Sequence, residues 1–269
     1  MKRISFWKMS GSGNDFVVID NRKGSIHPAK SWVKEICGIH TGIGADGILL
    51  LENSRKASFK MRIFNPDGSQ AEACGNGFRC IARFARQRLR LPDSFRFESQ
   101  SGLIEACVSG GHVRVQLVKP SGYHKGELRV SGRRFRYSFI NTGVPHTVLF
   151  VEGLEKIEVN GLGRTIRHHD QFMPRGTNVN FAEIKGRHEI HLRTYERGVE
   201  AETLACGTGS TASALVSALA GYVEAPVRVK TSGGEILTVN FERRGGTFSN
   251  VTLEGKAEFV FEGKWANGG

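Results

Sequence analysis

The chain has no apolar run approaching the ~20 residues that cross a bilayer; its longest, residues 48–51 and 148–151, fall far short. Its basic start, Met1-Lys2-Arg3-Ile4, leads into no apolar signal segment, so neither membrane nor secretion is expected and a cytoplasmic location is. Cysteine is sparse and odd in number, five in 269 residues, which argues against a disulfide framework. No two cysteines have the C-x2-C spacing of a zinc site, and Cys74 and Cys80 have no histidine close by in sequence. Gly11 and Gly13 lack the third, helix-opening glycine of a dinucleotide loop. No metal and no cofactor are therefore expected.

What remains is the composition of a globular protein, 39% hydrophobic and 24% charged. The net charge of +12 is dispersed. Its densest group, Arg83, Arg86, Arg88 and Arg90, falls at the end of a predicted helix, where cations interact favourably with the helix dipole. No nucleic-acid motif accompanies it, so the charge points to small anionic metabolites.

The two halves repeat. At the offset that carries Cys74 onto Cys206, Ala73-Cys74-Gly75-Asn76-Gly77 lands on Ala205-Cys206-Gly207-Thr208-Gly209. In the same register Gly11 meets Gly143, Gly44 meets Gly176 and Gly102 meets Gly234. One shared Cys-Gly-x-Gly could be chance; agreement at several separate places marks a duplication. Each half reads as a β-rich stretch, the cysteine, a helix and a hairpin. The helices are predicted over 78–91 and 210–220, the first from apolar residues at helical spacing. Strands are predicted over 60–64, 95–98, 113–118, 136–140, 189–195, 227–230, 236–241 and 257–261. The expected fold is α+β: two pseudo-symmetric domains, 1–120 and 121–255, facing across a cleft. Pro120-Ser121-Gly122 is the expected linker, and residues 256–269 are a candidate addition to the first domain.

Cys37, Cys80 and Cys107 sit among apolar neighbours, as core cysteines do. Cys74 and Cys206 instead each precede a Gly-x-Gly that opens a helix. Unpaired N–H groups and the positive dipole end there favour a thiolate, and the same groups can bind a carboxylate. Glycines that merely permit a tight turn would explain one such motif, but not a cysteine at the same place twice. Two thiols on opposite faces of one carbon can invert it: one removes the α-proton, the other returns a proton. Without an electron sink, the helix-end donors must stabilise the developing enediolate charge. Around the cysteines the repeat is broken, with Asn14 over His146, Asp46 over Asn178, Phe64 over Glu196 and Asn65 over Arg197. Such asymmetry suits a substrate with charged groups beyond the reacting carbon. Glu196 and Arg197, in a glycine-containing loop before Cys206, are the strongest candidates among them.

These segments resemble the diaminopimelate epimerase family. They include Gly13-Asn14-Asp15-Phe16, Thr41-Gly42-Ile43-Gly44-Ala45-Asp46, Phe64-Asn65-Pro66-Asp67-Gly68, Pro145-His146, Gly176-Thr177-Asn178-Val179-Asn180 and Tyr195-Glu196-Arg197-Gly198, besides the two cysteine motifs. The resemblance implies interconversion of LL- and meso-diaminopimelate in lysine and peptidoglycan-precursor synthesis. It implies Cys74 and Cys206 as the acid/base pair, with Gly75, Asn76, Gly207 and Thr208 cradling the reacting end. Asn14, Asn65, Asn178 and Arg197 would hold the substrate, Glu196 would contact it, and His146 and Glu196 would tune the cysteines. Two positions depart from a common form of the family: Gly47 stands for a glutamine, and Val144 for an asparagine. The alternative is a racemase or epimerase of another amino acid, histidine- or proline-type, on the same fold. Proline-type enzymes carry histidine where this chain has Asn76. The expected partner is the small amino-acid substrate, with no nucleic acid and no membrane, and the chain is a candidate homodimer.

Overall fold

A computed structural model describes residues 3–71 and 74–266. The chain divides into two compact units. One runs to Gln116 and takes in the chain again from Gly255; the other is Leu117–Glu254.

In the first unit, β1 (Arg3–Gly11) and β2 (Asn14–Asp20) form an antiparallel hairpin. After α1 (Lys30–Cys37) the chain crosses to β3 (Ile48–Glu52), parallel to β2. β4 (Lys60–Phe64) and β5 (Gln70–Ala71) follow antiparallel. Then come α2 (Gly75–Leu89) and β6 (Ser94–Ser99), which pairs parallel with β4. β7 (Gly102–Ser109) and β8 (His112–Gln116) complete a meander.

The second unit has the same element order and the same pairing senses. β9 (Ser121–Val130) pairs with β10 (Arg133–Asn141), and β10 with β11 (Pro145–Phe150). α3 (Val159–Arg167) leads to β12 (Asn178–Gly186), parallel to β11. Next are β13 (Glu189–Glu196), β14 (Ala201–Thr203), α4 (Gly207–Leu219) and β15 (Val227–Lys230), the last parallel to β13. β16 (Ile236–Arg244) and β17 (Thr247–Lys256) end the series. The final strand, β18 (Glu258–Ala266), pairs with β1 in the first unit. It does there what β9 does for β10. The architecture is the duplicated α+β fold expected.

The duplication slips in detail. The original offset carries Val17 and Ile48 onto Leu149 and Asn180. Val17 does lie opposite Ile48, but Leu149 lies opposite Phe181. The crossover from β11 to β12 is one residue longer than that from β2 to β3. Asn178 consequently lies opposite His146, whereas its counterpart Asp46 bonds to Asp15 rather than to the backbone of Asn14. In the ladder, His146 answers Asp15, one place from Asn14.

Both central helices begin three residues earlier than periodicity suggests, because the cysteines themselves are the caps. α2 buries Phe78, Ile81, Ala82, Phe84 and Ala85 and ends at Arg90 in the left-handed conformation. α4 is buried nearly all round, as its alanine-rich composition implies. Three of its buried hydroxyls bond to carbonyls one turn back: Ser210 to Cys206 O, Thr211 to Gly207 O and Ser217 to Ser213 O, at 2.7–3.0 Å. α1 and α3 carry weaker sequence signals. Ala29 gives α1 no side-chain cap, and α3 contains two glycines. They hold through packing: Val33, Ile36 and Cys37 on one core, Val159 and Ile166 on the other. No helix among the described residues is long and apolar enough to cross a membrane.

Apart from the core under α1, the first unit has an aromatic group around Phe97, which is fully buried, stacked on Phe59 at 4.9 Å and edge-on to Phe78 of α2 at 5.8 Å. Phe97→Ala is expected to cost about 3–5 kcal/mol. Urea unfolding should show a lower midpoint at unchanged slope; a midpoint within error of the native one would refute this packing.

Candidate active site

Each cysteine is the N-cap of a helix whose first turn lies in the core. Cys74 is extended (φ −151, ψ 113), and its Sγ accepts the Gly77 N–H at 3.4 Å. Cys206 is extended too (φ −124, ψ 110) and only 6% exposed, with Sγ 3.5 Å from Thr208 Oγ1. Its carbonyl accepts both the N–H and the hydroxyl of Ser210. The unshared N–H groups and dipole of each helix favour negative charge at the sulfur or on a carboxylate beside it.

In the first unit a buried arginine orients the amides beside Cys74. Arg79 is 0% exposed, and its Nη2 donates to Asn76 Oδ1 at 3.1 Å and to Ser12 Oγ. That fixes the Asn76 amide, whose Nδ2 donates to Asn14 Oδ1 at 2.6 Å. Asn14 Nδ2 donates in turn to Asp46 Oδ2 at 3.0 Å, which also accepts the Asp15 N–H. Lys8 closes the set with a 2.8 Å ion pair to Asp15. Asn14 and Asn76 are thus brought together. Asn65 does not join this chain: its Nδ2 donates to Ser69 Oγ within its own turn, at 3.0 Å.

Gly47 allows a close approach of the backbone. A Cβ there would lie 2.6 Å from Phe64 O, so this backbone admits no side chain. That accounts for the missing glutamine. Val144 lies in the β10–β11 turn, where its carbonyl accepts the Thr142 N–H at 3.2 Å.

The second unit uses different groups. Asn178 donates to Pro145 O at 2.9 Å and accepts the Arg197 N–H at 2.8 Å, so strand β12 positions Arg197. Arg197 Nη1 donates to Arg175 O. Burial lowers its affinity for a proton, and Arg167 and Arg175 add to this, offset in part by Glu200. Arg167 is paired with Glu200 at 3.2 Å, so the cationic group offered to an anion here is that of Arg197. Glu196 accepts from Thr203 Oγ1 at 3.1 Å, and Thr142 donates to Thr208 O at 3.1 Å. His146 is 0% exposed on β11. Burial pushes its pKa down to about 3, with the charge of Arg197 acting in the same direction, so the ring is neutral.

The family model for diaminopimelate epimerase matches residues 6–121 and 138–260. The chain belongs to the diaminopimelate epimerase family. It is 47% identical to the diaminopimelate epimerase of Aquifex aeolicus, covering 97% of both chains. The enzyme so named from Hydrogenobaculum is 42% identical, covering 95% of this chain and 96% of that one. That from Methanocella arvoryzae is 38% identical, over 98% and 97%. Among solved structures, a phenazine biosynthesis protein of the PhzF family from Bacillus anthracis superposes with TM-score 0.74 at 16% identity, covering 99% of this chain and all of that one. A probable proline racemase from Agrobacterium radiobacter gives 0.72 at 15%, over 98% and 93%. At that identity these two speak for the fold alone.

Within this family frame, sequence reasoning passed over Arg79, Asn180 and Thr194. Asn180 alone carried a signal. It follows Asn178 by two on a strand whose other residues, Val179, Phe181 and Ala182, are apolar, so both amides lie on one face.

The neutral His146 has a consequence for stability. Between its ordinary value of 6.5 and about 3, the unfolded chain binds a proton that the folded chain does not. Its contribution is complete above pH 6.5 and is lost on acidification at about 1.4 kcal/mol per pH unit through that window. Urea titrations at pH 7 and pH 5 should show His146→Gln losing less stability on acidification than the native chain. Equal losses would mean that His146 is protonated in the fold.

Proposed function

We propose that this chain interconverts LL- and meso-diaminopimelate without a cofactor, using Cys74 and Cys206 as a two-base pair, in lysine and peptidoglycan-precursor biosynthesis. The observation that carries the mechanism is the cysteine repeated as N-cap of α2 and of α4. Family membership supports the substrate.

The reaction needs one sulfur for each face of the α-carbon. A thiolate takes the α-proton: the C–H bond breaks, an S–H bond forms, and the electron pair passes to the substrate carboxylate as an enediolate. The N–H groups of Gly75, Asn76, Gly207 and Thr208 stabilise that charge as it develops. The other thiol gives its proton to the opposite face and is left as thiolate. Each turnover exchanges the two sulfurs' protonation states, and solvent resets them. Arg197, with Asn178, Asn14 and Asn65, holds the distal amino-acid end. The Arg197 guanidinium suits a carboxylate, and Glu196 suits an ammonium group. A cytoplasmic location and a homodimer belong to the same reading; sedimentation tests the second.

Purified protein without added cofactor should epimerise LL-diaminopimelate in preference to proline, histidine and other L-amino acids. Cys74→Ala and Cys206→Ala should each abolish epimerisation, while Cys107→Ala should retain it. An active Cys206→Ala protein would end the two-base reading, and preference for another amino acid would end the substrate reading.

In heavy water the delivering thiol carries deuterium before substrate arrives. At low conversion, product should be deuterated at the inverted carbon while recovered substrate stays protiated, starting from either stereoisomer. Equal labelling of both, read by mass spectrometry, would indicate a single base.

A further inference from the structure

Behind the His146 ring lies an amide whose orientation the backbone dictates. Asn180 is 0% exposed, and one of its side-chain terminal atoms lies 3.1 Å from the carbonyl oxygen of Thr147. A carbonyl only accepts, so that atom must be Nδ2. The other end, Oδ1, accepts the hydroxyl hydrogen of the buried Thr194 at 3.0 Å. Gly209, in the first turn of α4, leaves room for it: a Cβ there would lie 2.4 Å from Asn180 Oδ1 and 3.3 Å from Cys206 Sγ. Asn180 thus packs between the imidazole and the turn that carries Cys206.

Nδ2 has two hydrogens. One goes to Thr147 O, and the other points at His146 Nδ1, 3.2 Å away. A ring nitrogen that receives a hydrogen bond cannot carry a hydrogen itself. The proton of a neutral ring must then sit on Nε2, which is buried and has no hydrogen-bond partner among the described residues. A buried donor left in this way costs free energy unless something bound accepts from it.

We propose that Asn180, held by Thr147 O and Thr194, is a positioning residue that locks His146 in the Nε2–H tautomer and so presents a neutral hydrogen-bond donor to an acceptor oxygen of the bound substrate. The proposal rests on the function assigned above only for the identity of that substrate. A neutral donor stabilises a carboxylate without adding a further cation beside Arg197. It also gives no ring lone pair to compete with the cysteines for the α-proton.

The test reads the tautomer directly. In protein labelled with ¹⁵N-histidine, His146 Nδ1 should resonate as an unprotonated and Nε2 as a protonated ring nitrogen, assigned by loss of the signals in His146→Gln. Asn180→Leu, which removes both donor hydrogens, should release the ring into a mixture of tautomers. On diaminopimelate, its kcat should fall by about 10- to 100-fold with KM little changed, as when an imidazole loses its orienting partner. A proton on Nδ1 in the native protein would overturn the proposal even if the variant failed to fold. So would Asn180→Leu retaining a pure Nε2–H ring and native kcat. A protein inactive on diaminopimelate would still report its tautomer, so the two readings fail separately.

Discussion

A helix that starts in the interior of a protein brings several N–H groups that its own backbone cannot satisfy. Water is excluded there, and an unpaired donor costs on the order of 1–3 kcal/mol. Most proteins answer with serine, threonine or an acidic cap. Here both central helices place a cysteine at that position: at α2 its sulfur accepts the Gly77 N–H, whereas at α4 the Cys206 side chain makes no capping bond to the helix. Much else follows from that choice. The glycines after each cysteine keep the turn open, and the sheet residues around it are drawn from amides and hydroxyls.

The two units keep the sulfur and differ in what surrounds it. In the first, order comes from charge: buried Arg79 fixes Asn76, Asn76 fixes Asn14, and Asn14 ends on Asp46. In the second, order comes from neutral groups, with Thr194, Asn180 and His146 in line and the cations displaced to Arg197 and its neighbours. A duplicated gene product starts with two identical ends. Differentiating the shells while preserving the caps is how such a protein could grip an unsymmetrical molecule.

The sequence disclosed the cysteines, the duplication and the strands over 60–64 and 227–230, because repetition and alternation are local patterns. It hid what depends on partners distant in the chain. Arg79 reads as one more basic residue on a basic helix; its bonds to Ser12, Asn76 and the Lys256 carbonyl appear once the chain is folded. Nor does the sequence show that the Asn65 amide, besides lying over Arg197 in the repeat, donates to Ser69 Oγ within its own turn. α1 has no side-chain cap and α3, though capped by Glu158, carries two glycines; both are made helical by the cores they cover. The single-residue slip at β11 escaped a gap-free comparison because hairpin and crossover lengths change without disturbing the hydrophobic pattern on either side.

The strand β18 gives the molecule an unusual order of assembly. The second unit is one continuous stretch, Leu117–Glu254, whereas the first waits for a strand made after all of it. During synthesis, which adds roughly 5–20 residues per second, β1 emerges before its partner and keeps one edge open until Glu258–Ala266 has been made. The later-made half can therefore close its sheet first. A ribosome that stalls between Glu254 and β18 would leave the second unit built and the first, with Cys74, exposing an unpaired edge to whatever strand it meets.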